Sequence, residues 1–72
     1  MDLQVECAAD GAGHFEPRVV WFGARAVPVQ AVTDRWWGET QRWWKVDTAE
    51  GPYVLRLDES SGTWELAAVV RS

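Results

Sequence analysis

The chain has 72 residues with one cysteine and one histidine, and its formal net charge is −4. A chain this short forms one domain, residues 1–72, near the lower size limit for a hydrophobic core without disulfides or metals. A single cysteine excludes an internal disulfide, and the acidic balance disfavours nucleic-acid binding mainly through phosphates. With no leader-like or membrane-spanning apolar run, these features favour a soluble cytoplasmic protein that does not bind a membrane.

Glycine and proline punctuate the chain, and the segments between them alternate in polarity or are rich in valine and tryptophan. This pattern predicts an all-β domain. The first predicted strand is 3–9, LQVECAA, with Leu3 and every second residue after it on one apolar face. Residues 10–14, DGAGH, form a predicted loop.

The next predicted element is a hairpin over residues 18–29, RVVWFGARAVPV. Gly23 and Ala24 form its two-residue turn, because glycine tolerates the positive φ that such turns require. This turn places Phe22 near Arg25. Pro28 has no N–H to donate, so it marks an edge or a bulge of the second strand.

The C-terminal half contains three alternating runs, 41–48, 53–58 and 63–70, joined by the loops 49–52 and 59–62. The loop 49–52 places Val46 opposite Leu55, and the second hairpin places Leu55 opposite Leu66. Both registers put one apolar set on one face, and a slip of one residue would scatter it. The set comprises Trp44, Val46, Tyr53, Leu55, Leu57, Trp64 and Leu66.

On the opposite face, the predicted registers align Lys45, Arg56 and Glu65 in one cross-strand row, where Glu65 offsets the repulsion between the two cations. The chain therefore predicts a small antiparallel sheet of about five or six strands, either strongly twisted or closed into an SH3-like, partly open barrel.

No residue pattern indicates catalysis. His14 lies in a glycine-rich loop without a neighbouring nucleophile, and Cys7 lies on an apolar strand face as a small hydrophobic side chain. The carboxylates near 47–50 and 58–59 lie at predicted turns, where they serve local hydrogen bonding. We expect no enzyme, no cofactor and no metal site.

Tryptophan is the feature that stands out, because four of the six tryptophans lie in residues 35–44, RWWGETQRWW. Neighbouring side chains of a strand point to opposite faces, so they cannot all be interior. Parity directs Trp44 inward. One of Trp36 and Trp37, together with Trp43, is expected to be at least half exposed unless a loop folds over them. The arginines that precede the two pairs are placed to stack on indole rings.

Three uses of this segment remain open. It forms a loop that collapses into an intramolecular aromatic plug, a patch that binds a protein partner, or a homodimer contact. Tryptophan and arginine are enriched at binding hot spots, which supports the patch. Its candidate residues are Arg35, Trp36, Trp37, Arg42, Trp43, Lys45 and Arg56.

The alternative function is single-stranded nucleic-acid binding, in which the same indoles stack on bases. The net negative charge disfavours it. The first strand offers a second route to a homodimer, because it can pair with another copy of the chain as well as within one chain.

A longer pattern spans residues 17–70. It begins with an aromatic-Gly-Arg hairpin at 21–25, a V-x-D-R-W segment at 32–36 and an aromatic-rich strand at 43–46. It ends with Y-x-L-x-x-D at 53–58 and G-x-W-x-L at 62–66. This pattern resembles an uncharacterised family of small bacterial all-β proteins, and a similar segment ends the ImuB-type polymerase-like proteins of DNA-damage tolerance. The resemblance implies a non-catalytic adaptor module in or beside a repair assembly, and it transfers no functional residues. The shorter stretch RWWKV…EGPYV is similar to part of an SH3 domain and implies a barrel shape alone.

Overall fold

The computed structural model describes residues 3–9 and 15–69, and this part of the chain contains strands and turns but no helix. The strands are β1 Leu3–Ala9, β2 Phe15–Phe22, β3 Arg25–Trp37, β4 Gln41–Thr48, β5 Gly51–Asp58 and β6 Thr63–Val69. Each strand pairs with the next one, so the order across the antiparallel sheet follows the chain. The sheet curls into a half-barrel, which confirms the all-β class and the twisted antiparallel sheet. The predicted loop 10–14 lies outside the described residues.

The N-terminal half follows the predicted pairing. β1 has the predicted bounds, and over its first five residues partly buried side chains, beginning with Leu3, alternate with exposed ones. Phe22 lies opposite Arg25, and Gly23 has a φ of 64°, as a two-residue hairpin turn requires. Pro28 lies opposite Val19 at the end of the β2–β3 ladder. The missing N–H of proline is therefore placed where the strand stops pairing with β2.

β3 changes partner along its length of 13 residues. Residues 25–28 pair with β2, whereas residues 29–37 pair with β4. The β3–β4 register shifts twice, between Val29 and Ala31 and between Val32 and Asp34. Such bulges bend a strand and increase its twist. Beyond Pro28, β2 and β3 separate, and an open cleft lies between them.

The concave face of the half-barrel holds the core. Its buried side chains are Val20, Val27, Trp44, Val46, Tyr53 and Leu55, and the partly buried Leu57, Trp64 and Leu66 pack beside them. The Trp44 and Trp64 rings have centroids 5.1 Å apart, and the Phe22 and Tyr53 rings meet edge to face at 5.6 Å. This core contains the whole predicted inward-facing set. β1 and β6, the two edge strands, approach each other across the open side.

The predicted loop 49–52 is wrong. β4 and β5 are joined by a two-residue turn, because Thr48 lies opposite Gly51. Gly51 has a φ of 118°, and the Thr48 hydroxyl donates to the Gly51 carbonyl at 2.8 Å and accepts the Glu50 N–H at 3.1 Å. The β4–β5 register consequently moves by two residues. A shift of two keeps every side chain on its predicted face.

The same shift changes the cross-strand row on the convex face. Arg56 lies opposite Trp43 on one side and Glu65 on the other, so the predicted row through Lys45 is wrong. Lys45 lies opposite Val54. The predicted interaction of Arg56 with Glu65 is confirmed as a salt bridge. The predicted β5–β6 register places Tyr53 opposite Ala68. In the structure a bulge between Val54 and Leu55 places Tyr53 opposite Val69.

The β4–β5 turn predicts a pH dependence. A hydrogen bond from Arg25 lowers the pKa of Glu50 below its ordinary value of 4.5, and the Tyr53 hydroxyl, 3.1 Å from Oε1, adds to this effect. A carboxyl with a depressed pKa stabilises the fold above its unfolded-state pKa, and this contribution is lost as the pH falls through the folded-state pKa. We expect the urea midpoint to decrease below pH 4.5. We expect Glu50→Gln to weaken that decrease, and an unchanged pH profile would contradict the role given to this pair.

Candidate functional site

The tryptophan-rich segment is a regular hairpin formed by the end of β3 and the start of β4. Trp36 lies opposite Trp43, and Trp37 lies opposite Arg42. The turn after them is closed by a hydrogen bond from the Gly38 N–H to the Gln41 carbonyl, with 2.7 Å between N and O. Residues 38–40 therefore form a turn between the two strands. Residues 35–37 pair with residues 42–44, so the segment is a hairpin. The intramolecular plug and the binding patch both stay predictions.

The two indoles at the end of β3 are the exposed ones. Trp36 is 43% exposed and Trp37 is 61% exposed, whereas Trp44 is 2% exposed. The prediction that one of the β3 pair is at least half exposed is therefore confirmed, and that residue is Trp37. Trp43 is less than half exposed, which is the exception allowed for in the prediction, because the turn covers its ring.

Trp43 is covered because its indole lies against the turn glycine. A Cβ at Gly38 would lie 3.2 Å from Cζ3 and 3.3 Å from Cη2 of Trp43. Only a residue without a side chain leaves the ring its present position. The sequence pattern places Trp43 on the outer face correctly by parity, but it contains no sign that the adjoining turn would shield it.

The exposed indoles lie on opposite faces of the hairpin. Trp37 lies opposite Arg42, on the same face as the buried Trp44. Trp36 lies opposite Trp43, and Trp43 in turn lies opposite Arg56, so these three share the convex face. The end of the hairpin therefore presents an indole on each side of the sheet.

Arg42 stacks on two tryptophans, as predicted. Its guanidinium carbon lies 5.7 Å from the Trp37 ring centroid and 5.2 Å from that of Trp44. Contacts of this kind contribute about 0.5–2 kcal/mol, depending on desolvation. Arg42 thereby links the exposed indole to the buried one. Ordering an exposed side chain in advance lowers the entropy that binding must overcome.

Arg35 does not stack on an indole, so that prediction is wrong. Its guanidinium instead forms an ion pair with Glu16 of β2, with 2.6 Å between Nη2 and Oε1. The backbone N–H of Arg35 donates to Asp34 Oδ1 at 2.9 Å. Sequence reasoning missed Glu16 because β2 and β3 approach at this point only through the fold. No local pattern links positions 19 residues apart.

The candidate residues therefore form two groups. Trp37 and Arg42 lie on the concave side, and Trp36, Trp43 and Arg56 lie on the convex side. Lys45 shares the convex face two positions further along β4, and Arg35 turns into the cleft. One residue outside the prediction adds to the exposed apolar surface: Phe15, next to Glu16, is 60% exposed.

The side chains that were considered for catalysis are a cysteine, a histidine and the carboxylates at the turns. Burial raises the pKa of the Cys7 thiol, against the opposing charge of Arg42. Hydrogen bonds from the Ser60 hydroxyl at 2.6 Å and the Ser60 N–H at 3.0 Å lower the pKa of Asp58, as expected for a turn carboxylate. His14 lies outside the described residues. Over residues 3–9 and 15–69, no group of three or more metal-binding side chains comes together, and no helix could span a membrane.

Comparisons with known proteins assign no function to the site. No protein-family model matches the sequence, and no curated protein or solved structure matches it significantly. The resemblance to small bacterial proteins and to the ImuB-type C-terminal segment stays a prediction, as does the SH3-like shape.

Replacing the turn glycine is expected to uncover Trp43. In Gly38→Ala, the new Cβ requires the far edge of the indole to move outward by a few tenths of an ångström or more. The change in unfolding free energy should stay within about 1 kcal/mol, because strain and reduced unfolded-state entropy oppose each other. Nuclear magnetic resonance should show the Trp43 indole N–H shifted and more accessible to solvent, with Trp44 unchanged. An unmoved Trp43 signal would contradict the packing of the ring on Gly38.

Proposed function

We propose that this protein is a non-catalytic interaction module that binds a partner protein through the end of the β3–β4 hairpin. One observation carries the proposal: Trp36 and Trp37 are 43% and 61% exposed, although the domain has a core that accommodates other indoles. Scattered single apolar side chains are normal on protein surfaces, whereas adjacent large ones indicate an interaction site. Trp36 and Trp37 are adjacent in sequence and lie on opposite faces, so the hairpin end offers an exposed indole to a partner on each side of the sheet.

The energetic capacity of this surface suits a binding site. Each indole brings about 150–250 Å² of surface with few rotatable bonds. Truncation of a tryptophan at a binding hot spot costs about 2–4 kcal/mol. Arg42 is already in contact with Trp37, so less ordering is needed when a partner covers the ring.

The charges around the indoles support a protein partner better than a nucleic acid. Base stacking on Trp36, Trp37 and Trp43 would need neighbouring cations that are available to phosphates. Arg35 is paired with Glu16, and Arg56 with Glu65. These carboxylates would repel a phosphate backbone, in line with the net charge of −4. Single-stranded nucleic-acid binding is therefore the second candidate and serves as a test.

The resemblance to ImuB-type proteins supplies the class of partner to examine first. We propose that components of a bacterial translesion-synthesis assembly are bound, with this module acting as an adaptor. The same surface could also join two copies of the chain. Analytical ultracentrifugation of the wild type and of Trp37→Ala distinguishes a partner-protein site from a homodimer contact. A homodimer formed through the hairpin end would dissociate in Trp37→Ala.

The proposal is tested with single alanine variants. Immobilised wild-type protein should retain a specific partner from an extract of its own cells. Trp36→Ala or Trp37→Ala should weaken purified partner binding about 30-fold or more, as loss of a hot-spot residue does. Val69→Ala, which alters a 53% exposed side chain on β6, is the matched control and should bind normally. Equal binding by all variants would overturn the proposal.

The nucleic-acid alternative has its own outcome. A fluorescent single-stranded oligonucleotide is titrated at low ionic strength while tryptophan emission is followed. We expect no quenching at micromolar protein concentrations. Quenching that disappears in Trp37→Ala and weakens steeply with salt would replace the protein-partner proposal with the single-strand one.

A further inference from the structure

The cleft between β2 and β3 exposes a strand edge. The last paired residues of the two strands are Val19 and Pro28, after which residues 29–37 pair with β4 and residues 15–17 pair with β1. Among the described residues, no strand pairs with the other edge of β3 over 29–37. Such an edge presents backbone N–H and C=O groups that an added strand can pair with.

One hydrogen bond shows which backbone N–H groups at the end of β3 point away from β4. The Arg35 N–H donates to Asp34 Oδ1, 2.9 Å away, and therefore not to β4. Backbone groups alternate between the two sides of a strand, so the N–H of Trp37 also points to the open side. The carboxylate of Asp34 occupies the donor of Arg35 in the way that an acceptor on an added strand would.

The cleft has space and charge for an occupant. Its volume is about 220 Å³, and its walls are formed by residues 16–18 of β2 and 29–32 of β3 together with Arg35. Two arginines and one glutamate among these residues give the cleft one net positive charge, in a chain whose net charge is −4. The Arg35–Glu16 ion pair bridges the walls, so the guanidinium of Arg35 already donates to a carboxylate here.

Exposed apolar side chains lie close in sequence to the two residues of the ion pair that bridges the cleft. Phe15 precedes Glu16 and is 60% exposed, and Trp37 follows Arg35 by two positions on the same face and is 61% exposed. Strand addition draws affinity from the main chain and specificity from the pockets that receive alternate side chains. A carboxylate for Arg35 and an apolar group for Trp37 would occupy such alternate positions.

We propose that the β2–β3 cleft receives an extended, acidic peptide segment of the partner protein. The segment adds a strand to the open edge of β3, and one of its carboxylates replaces Glu16 on Arg35. This inference rests on the proposed function and specifies the chemistry of the partner. Glu16 acts as an internal competitor that holds Arg35 in position until the segment binds.

The probe is a display library of random linear peptides, selected on the immobilised wild-type protein. We expect selected peptides to be acidic, to contain an aromatic or aliphatic residue two positions from a carboxylate, and to perturb the backbone amides of β3 over residues 30–37. Arg35→Gln should bind them about tenfold more weakly, because a charge-assisted hydrogen bond is lost. Glu16→Gln should bind them about twofold to fivefold more tightly, because the competing ion pair is removed.

The two variants distinguish competition from a structural role. If the Arg35–Glu16 pair only maintains the cleft, both variants will bind more weakly, and the proposal is overturned. Thermal unfolding midpoints of both variants, measured in parallel, identify any loss of binding that comes from loss of fold.

The mapping separates this inference from the proposed function. If the selected peptides perturb Trp36 and Trp43 on the convex face and leave residues 30–35 unchanged, the interaction module stands and the cleft proposal fails. A library that yields no specific peptide also overturns the cleft proposal, while the partner-retention assay on Trp36→Ala and Trp37→Ala decides the proposed function independently.

Discussion

Replacement of Trp44 by alanine is expected to remove most of the stability of the domain. Trp44 is 2% exposed, stacks at 5.1 Å on Trp64 and lies beneath the guanidinium of Arg42. Truncation of a buried aromatic residue costs about 3–5 kcal/mol, whereas small domains have a total stability at the low end of about 5–15 kcal/mol. The surrounding structure relaxes only partially around a cavity of this kind.

Urea unfolding of Trp44→Ala and Trp36→Ala provides the measurement. The two substitutions remove the same atoms, one set from the core and one from a 43% exposed site. We expect Trp36→Ala to lose roughly half as much, about 2 kcal/mol, in proportion to its smaller buried area. Comparable losses in the two variants would show that Trp44 is not the central core residue.

Leu55 is the second position at which a large effect is expected. Its side chain has no exposed area, and it lies opposite Trp44 on β4 and Leu66 on β6. Leu55→Ala should cost about 2–5 kcal/mol, as for fully buried leucines. Leu57 is two positions along the same strand on the same face, but it is only partly buried. Leu57→Ala should therefore cost clearly less, measured by the same urea titration.

This pair of leucines also tests the β4–β5 register. The register expected from a four-residue loop places Leu57 opposite Trp44, whereas the structure places Leu55 there. If Leu57→Ala proved the more damaging substitution, the two-residue turn at Ala49 and Glu50 would be contradicted, and the longer loop would be supported.

The faces of the sheet could be predicted from the sequence because they depend only on parity. A register error of two residues changes partners without changing faces, so the inward positions of Trp44, Tyr53 and Leu55 do not depend on the length of the loop. The turn at Gly23 could be predicted for a similar reason, since its requirement for a positive φ is local.

What could not be predicted depends on contacts between distant segments. The shielding of Trp43 comes from the turn that passes beside it, and the partner of Arg35 comes from β2. The change of partner along β3 opens the cleft, and it arises from the curl of the whole sheet. Alternating polarity carries no information about where a ladder ends. The residues of the candidate site were thus identifiable from composition, but their division between two faces and a cleft was not.

The proposed interaction site requires that Trp36 and Trp37 are both exposed at the end of the β3–β4 hairpin, one on each face of the sheet. Nuclear magnetic resonance with a soluble paramagnetic reagent tests it directly, because each indole N–H gives its own signal. We predict strong broadening of the Trp36 and Trp37 signals, weaker broadening of Trp43, and none of Trp44. If all of these indole signals were equally protected from the reagent, the hairpin end would have no exposed aromatic surface, and the proposed interaction site would not exist.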